Sequence, residues 1–256
     1  MGGLAKGLDV IRAFTREQPA LTLSEVATAT GLPAATARRC LHTLEELGYV
    51  ARRGRQFLLR PRVLELGAAY LQSMNIESVT RNYLEDLARE TGDSAALSVL
   101  DGTEIAYVAR ASVRTLMRLE AHVGSRLPAY PTSMGRVLLA GLPPDRLAEY
   151  FARARLEKLT EKTVTDRTRL ERLLQEARRN GYAAVEDELA YGVVSVAVPV
   201  TDGAGRVVAA LNSSSHSRKI TKARLVRERV ERLREISAEI SREVAHLPGL
   251  SLSSQA

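Results

Sequence analysis

The chain has 256 residues, a formal charge of +7, and 45% hydrophobic and 26% charged residues, which fits two modest globular domains and excludes a disordered or fibrous protein. A single cysteine, Cys40, excludes an internal disulfide framework. No apolar run reaches the length of a membrane span, and Met1-Gly2-Gly3-Leu4-Ala5-Lys6 lacks the apolar stretch of a signal peptide, so a cytoplasmic protein is expected.

In chain order, Leu4, Leu8, Ile11 and Phe14 give the buried stripe of a first helix. Thr22 and Glu25 form a capping box that starts a second helix at Leu23, and Gly31 ends it. Pro33 suits the first turn of a third helix, from about Ala34 to Leu47, whose buried face is Ala37, Cys40, Leu41, Leu44 and Leu47. Ala35, Arg38, Arg39 and His42 fall on the opposite face. Gly48 stops the helix, and a basic hairpin turns through Arg52, Arg53, Gly54, Arg55 and Gln56 into Phe57-Leu58-Leu59. Helix, tight turn, helix and basic hairpin make a winged helix-turn-helix, which lays one helix in the major groove of DNA. Arg38, Arg39 and His42 are expected to face base edges, with Ala35 beside them at the DNA, Thr36 and Thr43 donating to phosphates and Arg53 and Arg55 on the backbone. Residues 1–75 hold 10 Lys/Arg against 6 Asp/Glu, and residues 76–256 hold 27 against 24, so the N-terminal part is the more basic per residue.

Residues 1–60 are read as the DNA-binding domain and 61–75 as a linker helix opened by Pro61, with apolar surface that a second subunit can cover. Residues 76–250 form an α+β domain, and 251–256 a disordered tail. Within that domain helices are expected over 77–90, 132–142, 145–154, 167–180 and 221–247. Strands are expected over 95–100, 105–109, 116–121, 182–185, 193–200 and 207–213. Three features suggest a small-molecule site on it. Thr132, Ser133 and Met134 sit at a strand-to-helix junction, where free N–H groups attract an anion. Asn212, Ser213 and Ser214 end an otherwise apolar strand, and Ser195 interrupts another. Each is also compatible with ordinary strand-end polarity. Arg126 matches a carboxylate in shape, or pairs with Glu186, Asp187 or Glu188. Tyr130 stacks on an aromatic ligand or merely covers the pocket. The basic run from Arg218 to Arg234 is interleaved with Glu228 and Glu231 at pairing distance, so a salt-bridged solvated face is expected there.

GLPAATARRCLHTLEELGYV (Gly31–Val50), VGSRLPAYPTSMGRVLLAG (Val123–Gly141) and GYAAVEDELAYGVVSVAVPV (Gly181–Val200) resemble motifs of the IclR family of transcriptional regulators, over nearly the whole chain. The form Ala37-Arg38-Arg39-Cys40-Leu41 resembles the branch that controls catabolism of aromatic acids. The resemblance implies a GAF-like sheet holding an effector in its concave side, and places its pocket on Ser133, Met134, Ser195, Asn212 and Ser214. It implies dimers through the DNA-binding domains and tetramers through the effector domains, a double-stranded operator, and an effector such as protocatechuate or 4-hydroxybenzoate. A regulator answering a glyoxylate- or pyruvate-like acid, and a constitutive DNA binder without effector, stand as alternatives. An enzyme is not expected. His42, His122, His216 and His246 form no pair with metal-ligand spacing, and nucleophile-elbow, phosphate-loop and dinucleotide motifs are missing, so neither metal nor cofactor is implied.

Overall fold

In the computed structural model, which describes residues 2–68, 76–112 and 121–244, the capping box forms as the sequence requires. Glu25 Oε2 accepts from the Thr22 amide at 2.7 Å, and Thr22 Oγ1 accepts from the Glu25 amide. Helices α1 (Gly3–Arg12), α2 (Leu23–Thr30) and α3 (Ala34–Glu46) follow. Gly31 takes φ 64°, a left-handed value that lets the Leu32 amide return to the Ala27 carbonyl and turns the chain into α3. Pro33 lies one residue earlier than expected. It caps α3 from outside with extended ψ 139°, and its carbonyl accepts from the Thr36 and Ala37 amides. Val10, Leu21, Val26, Ala37, Leu41 and Leu44 make the core. Two residues assigned to the buried face of α3 are not buried: Cys40 is half-buried and Leu47 is 51% exposed. The stripe expected on α1 is corrected too: Leu4 and Leu8 are exposed, Ile11 and Phe14 half-buried, and Val10 is the residue that helix buries.

The hairpin is β2 (Val50–Arg53) and β3 (Gln56–Leu59), turned at Gly54. A third strand, β1 (Ala20–Thr22), was not expected, because three residues are too short to show alternation. Pairing with β3, Leu21 opposite Phe57, makes it a strand and gives the order β1-β3-β2. Pro61–Val63 is a 3-10 turn, and residues 64–68 are helical. The rest of the predicted linker helix lies outside the described residues. Arg62 fastens this exit, donating to the Leu47 carbonyl at 2.9 Å and stacking over the Tyr49 ring. By compactness the chain divides into Met1–Tyr70 and Leu71–Ala256.

The second unit opens with α4 (Ile76–Thr91). Strands β4 (Ser94–Asp101), β5 (Glu104–Ser112), β6 (Arg126–Pro128), β7 (Ala183–Glu186), β8 (Val193–Thr201) and β9 (Val207–His216) form one antiparallel sheet in the order β6-β5-β4-β9-β8-β7. Helices α5 (Ser133–Gly141), α6 (Pro144–Arg153) and α7 (Arg167–Asn180) precede β7, and α8 (Lys222–Val244) ends the described chain. Strand alternation splits the core. Leu97, Val196, Val198 and Leu211 pack with Leu84, Leu87, Leu233 and Ile240 of α4 and α8. Ala96, Tyr107, Ala197 and Ala210 face α5 and α7 through Met134, Leu139 and Leu174.

The sequence reading missed β6 and ended β5 and β9 too soon. Apart from Ala121, the expected strand over 116–121 lies outside the described residues, as do residues 245–247 of the last expected helix and the expected tail. The basic run is the salt-bridged face expected: Arg224 meets Glu228 at 2.6 Å, Arg234 meets Glu231 at 2.5 Å, and Arg232 joins Glu90 and Glu235. Lys219 and Arg229 turn instead to buried Asp93, at 3.2 and 3.0 Å. Burial alone raises that carboxyl's pKa, but hydrogen bonds from Ser215, Arg229 and Lys219 hold it below the usual carboxylate value. Among the described residues no helix is long and apolar enough to cross a membrane, and no group of acidic, histidine or cysteine side chains is placed to hold a metal.

Candidate DNA-binding and effector sites

On α3, Ala35, Arg38, Arg39, His42 and Thr43 are exposed and Thr36 is half-buried. The helix divides them. Arg38 and His42, one turn apart, line a groove with Arg52 and Arg55 of the wing and with Thr22 and Ser24 at the start of α2. Thr36, Arg39 and Thr43 instead border a second, apolar groove between α1 and α3. Arg53 is exposed but does not line the first groove, because alternation along β2 puts it on the opposite side from Arg52. Arg52 was not singled out from sequence. Its guanidinium donates to the Gly54 carbonyl at 3.0 Å and lies over the Phe57 ring. Period-2 counting from buried Val50 picks Arg52 over Arg53.

In the second unit, Thr132 caps α5, with Oγ1 accepting from the Gly135 amide at 2.9 Å. That occupies one of the N–H groups proposed for an anion. A Cβ on Gly135 would come within 2.0 Å of the Ala129 carbonyl, so only glycine lets the helix start this close to the preceding chain. Ser133 and Met134, both buried, then meet the sheet. Ser133 Oγ donates to Ser195 Oγ of β8 at 2.9 Å. Ser195 is in register with Ser214 of β9, and Ser214 with Ser94 of β4. In the next row Asn212 stands between Ala197 and Ala96. Of the five residues of the expected pocket, Ser195, Asn212 and Ser214 thus share the α5-facing side of the sheet, and Ser133 and Met134 meet it from α5. Asn212 Oδ1 and, one row further, Ser98 Oγ are buried with no hydrogen-bond partner.

The model of the IclR helix-turn-helix domain matches residues 3–54, and that described as the C-terminal part of the bacterial transcriptional regulator IclR matches residues 68–242. The chain belongs to the IclR family. It is a DNA-binding transcriptional regulator and not an enzyme. The Pca regulon regulatory protein of Pseudomonas putida is 40% identical over 96% of this chain and 84% of its own length. The p-hydroxybenzoate hydroxylase transcriptional activator of Acinetobacter baylyi is 33% identical, over 94% and 90%. The crystal structure of an IclR homolog from Microbacterium hydrocarbonoxydans, complexed with 4-hydroxybenzoate, superposes with a TM-score of 0.83 over 95% of this chain and 99% of that one, at 27% identity.

Two residues expected in the pocket of this IclR-family protein are committed elsewhere. Arg126, on edge strand β6, pairs with Asp101 and with Glu104, the latter at 2.8 Å, across the hairpin that joins β4 to β5. Its fork is filled, and Glu186, Asp187 and Glu188 are not its partners. Tyr130 is buried in a side cluster with Val164 and Leu170, and its hydroxyl donates to the Glu157 carbonyl at 2.5 Å. Neither side chain belongs to the Ser133–Ser195 cluster. The acidic triplet braces a connection. Asp187 accepts from the Gly192 amide and from Lys162, and Glu188 is buried against Arg136.

Arg110 lies in β5 one residue beyond the strand expected from sequence over 105–109. It pairs in register with Ala96, so it shares the face of the serine and asparagine rows. Its guanidinium reaches Ser94 Oγ at 3.4 Å. Burial pulls its pKa below the ordinary arginine value. Continuing the small-residue alternation Ala109-Arg110-Ala111 through the charge recovers it.

Proposed function

We propose that the protein changes its hold on an operator when a small aromatic acid occupies the α5-facing side of its C-terminal sheet. The observation that carries this reading is the buried polar cluster there, with Ser133 bonded to Ser195 and with Asn212 Oδ1 and Ser98 Oγ unpartnered on an alanine floor. A buried polar atom left unpaired costs about 1–3 kcal/mol, which a ligand's hydroxyl or carboxylate offsets. The regulators named above and the 4-hydroxybenzoate complex support an aromatic acid over a glyoxylate-like one. The ligand acts by its differential affinity for two arrangements of the protein. At a hundredfold excess over its Kd, 4-hydroxybenzoate or protocatechuate is expected to add about 2.7 kcal/mol of stability, a rise of roughly 5–10 °C in melting temperature. Glyoxylate is expected to add none. A melt unmoved by both aromatic acids, with operator binding equally indifferent, would leave a constitutive DNA binder.

The DNA-contacting residues in this reading are Ala35, Arg38, Arg39 and His42 of α3, flanked by Thr36 and Thr43, with Arg52, Arg53 and Arg55 of the wing, and the protein works on chromosomal DNA in the cytoplasm. It does so as a dimer. Leu4, Leu8, Leu47 and Leu66 are 79%, 45%, 51% and 48% exposed around the groove between α1 and α3, whose volume is about 750 Å³. A second copy of this chain is the occupant, because that groove borders α3, and a two-fold partner there sets two recognition helices side by side on a palindromic operator. Leu8→Glu is expected to convert the N-terminal association to monomer in sedimentation velocity and to weaken operator binding. A variant that sediments as wild type would refute the assignment.

A further inference from the structure

The floor of the C-terminal site carries a cation without an acid to answer it. Among the described residues no carboxylate lies within ion-pair distance of Arg110, whereas Arg126, Arg136, Arg229 and Arg232 of the same unit each hold an aspartate or glutamate. The contact that the guanidinium makes is with a neutral hydroxyl, Ser94 Oγ.

We propose that Arg110 is the carboxylate receptor of the site, so that the effector binds as a monocarboxylate anchored on β5, its ring across Ala96 and its distal polar group at Asn212. The row Arg110–Ala96–Asn212–Ala197 is set by strand register. Neighbouring strands lie about 4.8 Å apart, so Arg110 and Asn212 stand roughly 10 Å apart across one alanine. Ala96 and Ala197 flank Asn212 in that row and present only methyl groups on the α5-facing side. Asn212 Oδ1 at one end lacks a partner and accepts a hydroxyl proton. Arg110 at the other end offers a fork that matches two carboxylate oxygens, and its partly dry surroundings strengthen that pairing. Burial lowers its pKa, as an uncompensated cation requires, and an anionic ligand reverses that penalty. Tyr107, next along β5 on the same face, closes the row beside Ser98.

This assignment rests on the reading of the α5-facing surface as the effector site, and the test separates the two. Full-length protein is titrated calorimetrically with 4-hydroxybenzoate, protocatechuate and the neutral 4-hydroxybenzamide. Wild type is expected to prefer the acids to the amide by at least about tenfold. Arg110→Gln is expected to lose on the order of ten- to a hundred-fold in acid affinity, with little change for the amide, so that the preference collapses. Arg110→Met, which keeps the stem packed on the alanine floor, is expected to do the same and covers the case in which the glutamine variant folds poorly. Asn212→Leu is expected to weaken acid and amide alike and to keep the preference. A wild-type acid preference surviving in either Arg110 variant overturns the assignment while leaving the site in place. Wild-type protein that binds none of the three compounds overturns the aromatic-acid reading itself, and this assignment with it.

Discussion

Replacing Arg38 and Arg39 together by alanine is expected to abolish sequence-selective operator binding while leaving the melt nearly unchanged. Both side chains are exposed, and surface substitutions of that kind shift stability by about 0.5 kcal/mol or less. A bidentate arginine–guanine contact is worth about 1–3 kcal/mol of discrimination, so two of them amount to a loss on the order of a hundredfold or more. The single variants divide the effect. Arg38 stands in the groove with His42, Arg52 and Arg55, between α3 and the wing, whereas Arg39 stands at the other edge, towards α1. A residue that reads a base relaxes specificity when removed. One that touches only phosphate weakens every sequence alike and flattens the salt dependence by roughly 0.9 in log–log slope. Competition anisotropy, with an operator selected from random DNA by the wild-type protein, measures both quantities. An undiminished selective signal from the double variant would remove α3 as the reading element.

The N-terminal unit was legible because its signals are local. Thr22 and Glu25 sit three residues apart, Gly31 must take a positive φ, and the apolar spacing of Ala37, Leu41 and Leu44 is helical. Each is decided within one turn of chain. What failed there depended on partners distant in sequence. β1 exists because β3 pairs with it, and Leu47 lies beyond Leu44, the last residue α3 buries, before the chain re-enters the core at Val50. An amphipathic count alone cannot tell the rim of a buried stripe from a surface kept for another subunit.

In the C-terminal unit the same divide falls inside the site. Family motifs point to Ser133, Met134, Ser195, Asn212 and Ser214; the register of β8 and β9 puts Ser195, Asn212 and Ser214 on one face, and α5 carries Ser133 and Met134 onto it. Chemical aptness is all that points to Arg126 and Tyr130, and it says nothing about partners already holding them. The nearest acids to Arg126 are Asp101 and Glu104, over twenty residues upstream, and only the pairing of β5 with β6 shows it. Arg110 was lost for the opposite reason. A charge inside a strand reads as its end, whereas a backbone ladder continues through any side chain whose charge has somewhere to go.

Glu188→Ala is expected to lower stability by about 3–5 kcal/mol, the usual consequence of removing one partner from a buried ion pair, and the melting temperature by roughly 6–20 °C. Arg136 is 4% exposed and Glu188 10%. Their contact is 2.5 Å, Arg136 Nε donates to the Tyr130 carbonyl at 3.0 Å, and Glu188 also accepts from the Val164 amide at 3.2 Å. Alanine at 188 therefore strands a guanidinium and a backbone N–H together. Replacing both partners by apolar residues, Arg136→Met with Glu188→Leu, removes the stranded charge and is expected to recover most of the loss, since a buried pair often contributes little beyond a well-packed apolar one. Arg136 lies one helical turn beyond Ser133, so the brace also holds the start of α5 against the sheet. E188A is accordingly expected to bind effector more weakly at temperatures well below its melt, through loss of the Ser133–Ser195 alignment. The double variant separates packing from charge: regained stability with persistently weak effector binding assigns the ion pair a positioning role, and E188A melting with wild type would show that the pair braces nothing.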